Sequence, residues 1–211
     1  MSGPVPGMTR ATAVIFDVGR VLYRWEPRLL YERLIPDGEA LDAFLRDVVT
    51  IPWHFQHDAG RNFAETSAEL IAAHPHHAEL IQAWAPRFLD TIPGPVEGMP
   101  ALVDELHGRG LPLYALTNFS HEFWPSFRAR EAAMFDRFRD ILVSGEEKLV
   151  KPDPAIYALA LRRFGLEAAR TVFIDDSEPN VTAAADAGLI ALQFTDEPTL
   201  RRELVYLGLL Y

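Results

Sequence analysis

Asp17 follows the apolar run Ala13-Val14-Ile15-Phe16 and precedes Val18-Gly19-Arg20, so a carboxylate stands where a buried strand ends. That placement makes it a candidate nucleophile. Three further polar segments sit behind apolar runs in the same way. Thr117-Asn118 comes straight after Leu113-Tyr114-Ala115-Leu116, Lys151 comes shortly after Ile141-Leu142-Val143, and Asp175-Asp176 follows Val172-Phe173-Ile174, with Asn180 beyond. In an open parallel sheet, residues just past the carboxyl ends of the strands face one crevice, so the four segments converge. Three carboxylates gathered there repel one another unless a cation intervenes or their pKa values rise. Mg²⁺ answers the repulsion, because it is a hard ion that favours oxygen ligands and leaves positions for a phosphate. Lys151 adds a positive point charge and Thr117 a hydroxyl beside free backbone amides. Phosphoryl transfer needs these parts: neutralised oxygens around phosphorus and an in-line nucleophile.

The elements that would position these residues are legible in outline. Thr12 to Phe16, Pro112 to Leu116, Ile141 to Val143, Val172 to Ile174 and Ile190 to Gln193 are apolar without alternation, as buried parallel strands are. Helical stripes lie between the later ones, at Leu102, Val103 and Leu106, and at Ile156, Tyr157, Ala160, Leu161 and Phe164, closed by Gly110, Gly165 or Gly188. Asp153-Pro154 predicts a helix start, with Asp capping and Pro at the first position, so Lys151 lies in the loop before it. Alternation of strand and helix predicts an α/β doubly wound parallel sheet.

Residues 25–96 contain no convincing strand. They read as helices, with one stripe at Leu41, Phe44, Leu45 and Val48 and another at Leu80, Ile81, Trp84 and Phe88. So long a crossover predicts a small helical cap over residues 25–96, standing on a core of residues 1–24 and 97–211. Tyr23 to Pro27 and the stretch Pro93, Gly94, Pro95 and Gly98 are its expected hinges.

Bulk composition narrows the function. A chain of 211 residues with 49% hydrophobic content suits one core with an appendage. Its net charge of -10, from 30 acidic and 20 basic residues, argues against nucleic acid and anionic membrane as partners. Cysteine is absent, so any metal is held by oxygen or imidazole, and a cytoplasmic location is the simpler expectation. No apolar segment reaches bilayer length, and Met1 to Met8 lacks the pattern of a targeting signal.

The segments Phe16-Asp17-Val18-Gly19-Arg20-Val21-Leu22, Leu116-Thr117-Asn118, Lys151-Pro152-Asp153-Pro154 and Phe173-Ile174-Asp175-Asp176-Ser177 resemble, in order and spacing, the four motifs of the haloacid dehalogenase (HAD) superfamily. The resemblance implies a HAD-like Rossmannoid core with a helical cap of the type found in sugar-phosphate phosphatases and 2-haloacid dehalogenases. It also implies roles. Asp17 becomes an aspartyl phosphate; Asp17, the Gly19 carbonyl and Asp176 bind Mg²⁺; Asp175 acts through a water. Thr117 and Asn118 hold the phosphoryl group, Lys151 steadies Asp17 and the transferred charge, and Asn180 supports the metal site from behind. Gly19 departs from the pattern, because phosphatases of this superfamily usually carry there a second Asp that protonates the leaving oxygen and later activates water.

Three functions follow from that departure. The first is Mg²⁺-dependent hydrolysis of a small phosphorylated metabolite by a monomer or homodimer. The second is a 2-haloacid dehalogenase, whose halide leaves without a proton, although the Asp175-Asp176 pair would repel a carboxylate substrate. The third is a binding or regulatory protein on a catalytic scaffold.

Several residues admit two readings. Arg20 either reaches an anionic group of the substrate or pairs with a carboxylate. His57, near Trp53, His54, Phe55 and Asp58, either faces the site in place of the missing acid or is structural. His74, His76 and His77 read as a surface turn around Pro75. Trp53, Trp84, Phe88 and Trp124 read as core, and Leu204 to Tyr211 as packing on the sheet edge or as a dimer contact.

Overall fold

The computed structural model describes residues 11–211, so the N-terminal stretch read above as lacking a targeting signal lies outside the described residues. The five apolar runs form β1 (Ala13–Phe16), β2 (Leu113–Thr117), β3 (Asp140–Val143), β4 (Thr171–Asp175) and β5 (Ile190–Gln193). Each lies within one residue of the expected bounds. All pair in parallel, in the order β3-β2-β1-β4-β5. β1 is central, with Phe16 level with Ala115 on one side and Ile174 on the other. The order reverses there, and the crevice past the strand ends therefore opens at β1.

Successive strand residues point to opposite faces. Val14, Phe16, Ala115, Val172 and Ile174 belong to one buried cluster; Ala13, Ile15, Tyr114, Leu116 and Phe173 belong to the other. The connection from β1 to β2 carries α1 (Arg28–Tyr31), α2 (Gly38–Asp47), α3 (Ile51–Asp58), α4 (Phe63–Ala73), α5 (Ala78–Gln82) and α6 (Met99–Gly108). Then come α7 (Trp124–Arg130), α8 (Ala132–Phe135), α9 (Ser144–Glu147), α10 (Pro154–Phe164), α11 (Glu178–Asp186) and α12 (Glu197–Tyr206). α6 and α12 cover the first face through Leu102, Val103, Leu106, Leu200 and Leu204; α10 and α11 cover the second through Ile156, Tyr157, Ala160, Phe164 and Ala184. Helices on both faces of a parallel sheet make the fold doubly wound, as expected. Among the described residues, no helix is long and apolar enough to cross a membrane.

α10 starts as its sequence dictates: Asp153 accepts a hydrogen bond from the Ala155 amide at 2.8 Å, and Gly165 ends it in the left-handed region at φ 66°. The stripe Leu80 to Phe88 is not one helix. α5 stops at Gln82, and a 3-10 turn spans Phe88–Thr91. Pro86 accounts for the break, because it has no N–H to give to Gln82 and its ring clashes with the preceding turn. The stripe is nonetheless buried at Ile81, Trp84 and Phe88.

The helical insertion leaves and rejoins the sheet through paired segments. The Arg24 amide donates to Gly94 O at 3.0 Å, Glu26 to Thr91 O at 2.7 Å and Val96 to Leu22 O at 2.9 Å. Its core is continuous with that of the sheet. Phe88 stacks on Phe123 with centroids 4.5 Å apart and meets Phe119 edge-on at 5.4 Å, while Phe63 and His57 also meet Phe123. Leu200, Leu204, Leu209 and Leu210 are buried in the same cluster, which is the packing read for the C-terminal segment; Tyr206 and Tyr211 are exposed.

Candidate active site

Asp17 lies one residue past β1 and is nearly buried; its amide donates to Ile174 O at 2.8 Å. Its Oδ1 accepts from the Val18 amide at 2.7 Å and from Lys151 Nζ at 2.8 Å. Among the described residues its Oδ2 has no partner. Lys151, fully buried, also donates to Asp175 Oδ2 at 2.6 Å, so one ammonium bridges two carboxylates. Asp175 ends β4 and takes further hydrogen bonds from the Ser177 amide at 2.9 Å and from Asn180 Nδ2 at 3.0 and 3.1 Å. Asn180 is held in turn by the Tyr157 hydroxyl, which donates to its carbonyl at 2.9 Å.

Burial pushes the Asp17 carboxyl up to about 7, with Lys151 pulling the other way and Asp175 adding to the rise. Burial alone would strip the charge from Lys151, but Asp17 and then Asp175 override it and hold the ammonium above its ordinary range. Asp176 is half-buried, and burial followed by the charge of Asp175 raises it; Arg20 and Lys151 oppose. Oxygen atoms of Asp17, Asp175 and Asp176 all lie within 4.8 Å of one another. With only one buried ammonium among them, these carboxylates have the composition of a site for a hard divalent cation. The three histidines at 74, 76 and 77 are not part of it: His77 packs against Phe44, and Pro75–His77 is a 3-10 turn.

Thr117 ends β2, and its buried Oγ1 has no hydrogen-bond partner among the described residues. A buried hydroxyl left without a partner costs about 1–3 kcal/mol, and an oxygen-bearing ligand removes that cost. Asn118 is bonded to the backbone of Lys151. Its Nδ2 donates to Lys151 O at 3.0 Å and its Oδ1 accepts from the Lys151 amide at 2.9 Å. Its side chain therefore fixes the Lys151 loop through Oδ1 and one N–H. Arg20 is exposed, sits in the left-handed region at φ 60°, and stacks its guanidinium 5.5 Å from the Trp25 ring. It forms no ion pair among the described residues, though its charge reaches Asp176.

Ser144, at the end of β3, ties the segments together. Its Oγ donates to Asp58 O at 2.6 Å and accepts from the Phe119 amide at 3.0 Å. Gly145 follows because nothing larger fits: a Cβ there would lie 2.5 Å from His121 N and 2.8 Å from Phe119 O.

A cavity of about 190 Å³ opens beside Gly19 and Asn118. Its walls are mainly apolar, from Trp25, Ile51, Phe55, Phe88, Ile92 and Phe119, and its polar groups include Arg24, His54 and Asp58. Phe88 thus serves both core and cavity, where the sequence indicated core alone. His57 does not reach the cavity. It is fully buried among Trp53, Phe63 and Phe123, its Nε2 lies 2.6 Å from Thr66 Oγ1, and burial, followed by Arg61, lowers it to about 4. The acid-bearing residue that faces the cavity is Asp58, which sequence reading passed over. The signal was present: Ile51, His54, Phe55 and Asp58 are spaced i, i+3, i+4, i+7, one face of α3.

The sequence matches the model of the haloacid dehalogenase-like hydrolase family over residues 11–188. It is 28% identical over 194 residues to a sesquiterpene phosphatase of Aspergillus oryzae, covering 89% of this chain and 92% of that protein. The fold superposes with a TM-score of 0.66 on a HAD family enzyme of Bacteroides thetaiotaomicron in complex with magnesium and inorganic phosphate, 21% identical, covering 88% of this chain and 95% of that one. It superposes at 0.64 on an L-2-haloacid dehalogenase of Xanthobacter autotrophicus with chloropropionic acid covalently bound, 21% identical, covering 92% and 82%. At 21% identity the two structural likenesses speak to fold alone.

Proposed function

The chain belongs to the haloacid dehalogenase-like hydrolases, and from that premise we propose that it is a Mg²⁺-dependent phosphatase acting on monoesters of small apolar alcohols. The observation that carries this reading is the trio Asp17, Asp175 and Asp176 beside the unpartnered Thr117 hydroxyl and the Lys151 ammonium. Asp17, Asp175, Asp176 and the Gly19 carbonyl would hold the ion, which neutralises the carboxylates and the phosphoryl oxygens when bound. Asp17 Oδ2, free of hydrogen bonds, attacks phosphorus and forms the aspartyl phosphate, which water then hydrolyses. Lys151 balances Asp17 and the transferred charge, Thr117 Oγ1 donates to a phosphoryl oxygen, and Asn118 keeps Lys151 in place. Arg20 and the helical insertion over residues 25–96, acting as a cap, bound the substrate.

The alcohol's character follows from the cavity. An apolar cavity of ~150 Å³ admits a benzene ring, and this one is about 190 Å³. Ile51 and Phe55, 55% and 38% exposed, stand at its rim as an apolar surface without an evident partner. An aryl or branched alkyl group fills such a space, with longer chains running out past the rim. The name of the Aspergillus relative, a terpene phosphatase, points the same way.

Phosphate release from aryl and prenyl monophosphates, measured with Mg²⁺ and with a chelator, tests the reading. Release should require Mg²⁺; turnover that persists in chelator would sink it. Phe55→Ser should raise KM for an apolar ester by roughly tenfold and leave that for glycerol phosphate unchanged. Equal effects on both esters would remove the apolar wall from the account. The absent acid at Gly19 favours the dehalogenase reading, and chloride release from 2-chloropropionate in chelator is its test. No chloride rules it out.

A further inference from the structure

Gly19 offers no proton to a leaving group, yet the space around it is open. A Cβ added there meets nothing within 4 Å. Asp58, the last residue of α3, stands on the wall of the same cavity. We infer that Asp58 is the general acid and base of this reaction, delivered from the helical insertion in place of the carboxylate that Gly19 lacks. This rests on the phosphatase reading above.

Asp58 is only 6% exposed, and its Oδ1 has no hydrogen-bond partner among the described residues. A buried carboxyl oxygen without a partner is costly, and a substrate oxygen in the cavity supplies one. The mounting is firm. The Asp58 carbonyl is anchored by Ser144 Oγ at 2.6 Å, and the same oxygen accepts from the Phe119 amide, so the acid is fixed to the segments that follow β3 and β2, the latter ending in Thr117. His54 Nε2 lies 3.6 Å from Asp58 Oδ2.

Charge agrees with geometry. Burial, then the negative charge of Asp17, raises Asp58 well above its ordinary value, while Lys151 opposes. Burial, then His57, lowers His54 to about 3, so His54 brings no positive charge to the contact at neutral pH. The other polar cavity groups are Tyr23, whose hydroxyl donates to Glu131, Asn118, whose side chain is bonded to the Lys151 backbone, and Arg24. A carboxyl whose pKa is raised above its ordinary value is suited to give up a proton as a general acid.

The steps balance. Asp17 Oδ2 forms a bond to phosphorus as the P–O bond to the alcohol breaks; that electron pair goes to the alcohol oxygen, which takes the Asp58 proton. The Asp58 carboxylate then takes a proton from water as the water oxygen bonds to phosphorus. The bond between Asp17 and phosphorus breaks, its pair returns to Asp17, and Asp58 is protonated again.

Asp58→Asn keeps the shape and removes the proton. The measurement is rapid-mixing kinetics with Mg²⁺ on an alkyl phosphate and on p-nitrophenyl phosphate, whose leaving group needs no proton. The variant should give a stoichiometric burst of p-nitrophenolate followed by slow turnover, whereas its first turnover on the alkyl ester should fall by ~10²–10⁴-fold. Equal slowing of both first turnovers, or unchanged rates, overturns the assignment. A second arm guards against a folding defect. In a Gly19→Asp background, which restores an acid where space allows, Asp58→Asn should cost less than about tenfold. A cost of the same size in both backgrounds overturns the role. Failure of the unmodified protein to release phosphate from either ester is a different result, which defeats the phosphatase reading itself.

Discussion

Asp17→Asn is expected to abolish phosphate release and, in metal-free protein at pH 8, to raise the melting temperature. Loss of a nucleophile costs roughly 10⁴–10⁶-fold in turnover. The stability gain comes from the pKa of Asp17, lifted by burial from 3.8 to about 7. A carboxyl whose folded pKa lies above its unfolded value binds more protons when folded, so stability declines as pH rises from about 4 to about 7 and stays low beyond. Asn removes that penalty, which is worth on the order of 2–4 kcal/mol after allowing for the Lys151 contact. For a chain of this size each kcal/mol moves the melting temperature by ~2–4 °C. Calorimetry of both proteins at pH 4 and pH 8 without metal decides it: the gain should be present at pH 8 and absent at pH 4. A variant less stable at pH 8 contradicts the electrostatic account, and retained turnover contradicts the nucleophile.

Lys151→Met should do the opposite. The ammonium is buried between Asp17 and Asp175, at 2.8 and 2.6 Å, and removing one partner from a buried ion cluster costs about 3–5 kcal/mol. At ~2–4 °C per kcal/mol the melting temperature should fall by about 10 °C at pH 8. The loss should shrink as pH drops and Asp17 protonates, and Mg²⁺ should recover part of it by supplying positive charge. Thermal melts across pH, with and without Mg²⁺, read both dependences. A deficit indifferent to pH and Mg²⁺ would mean that packing, not charge, is what Lys151 provides.

What the sequence discloses and what it hides have physical causes. Parallel strands buried on both faces are written as unbroken apolar runs, so the positions just behind them, Asp17, Thr117 and Asp175, stand out. Asp153-Pro154 discloses the start of α10 because capping is a local interaction. Long-range arrangements are hidden. Nothing in the sequence near Asn118 tells that its amide will close on the Lys151 backbone 33 residues away, nor that Ser144 will hold Asp58 across 86 residues. Asp58 was hidden for another reason. It shares a helix with two aromatic residues and two histidines, and only the α3 face Ile51, His54, Phe55 and Asp58 separates the cavity wall from the core.

The rings that join the insertion to the sheet bear on how fast a substrate enters. Lifting residues 25–96 as a rigid flap would pull Phe88 off Phe123 and Phe119 and open a buried cluster shared by both parts. That motion has the energetic scale of local unfolding, not of a hinge swinging freely. Ile51 and Phe55 on the rim are exposed, and such side chains change rotamer within picoseconds to nanoseconds. Access is then set by a side door that is always moving, and solvent viscosity should leave kcat nearly unchanged.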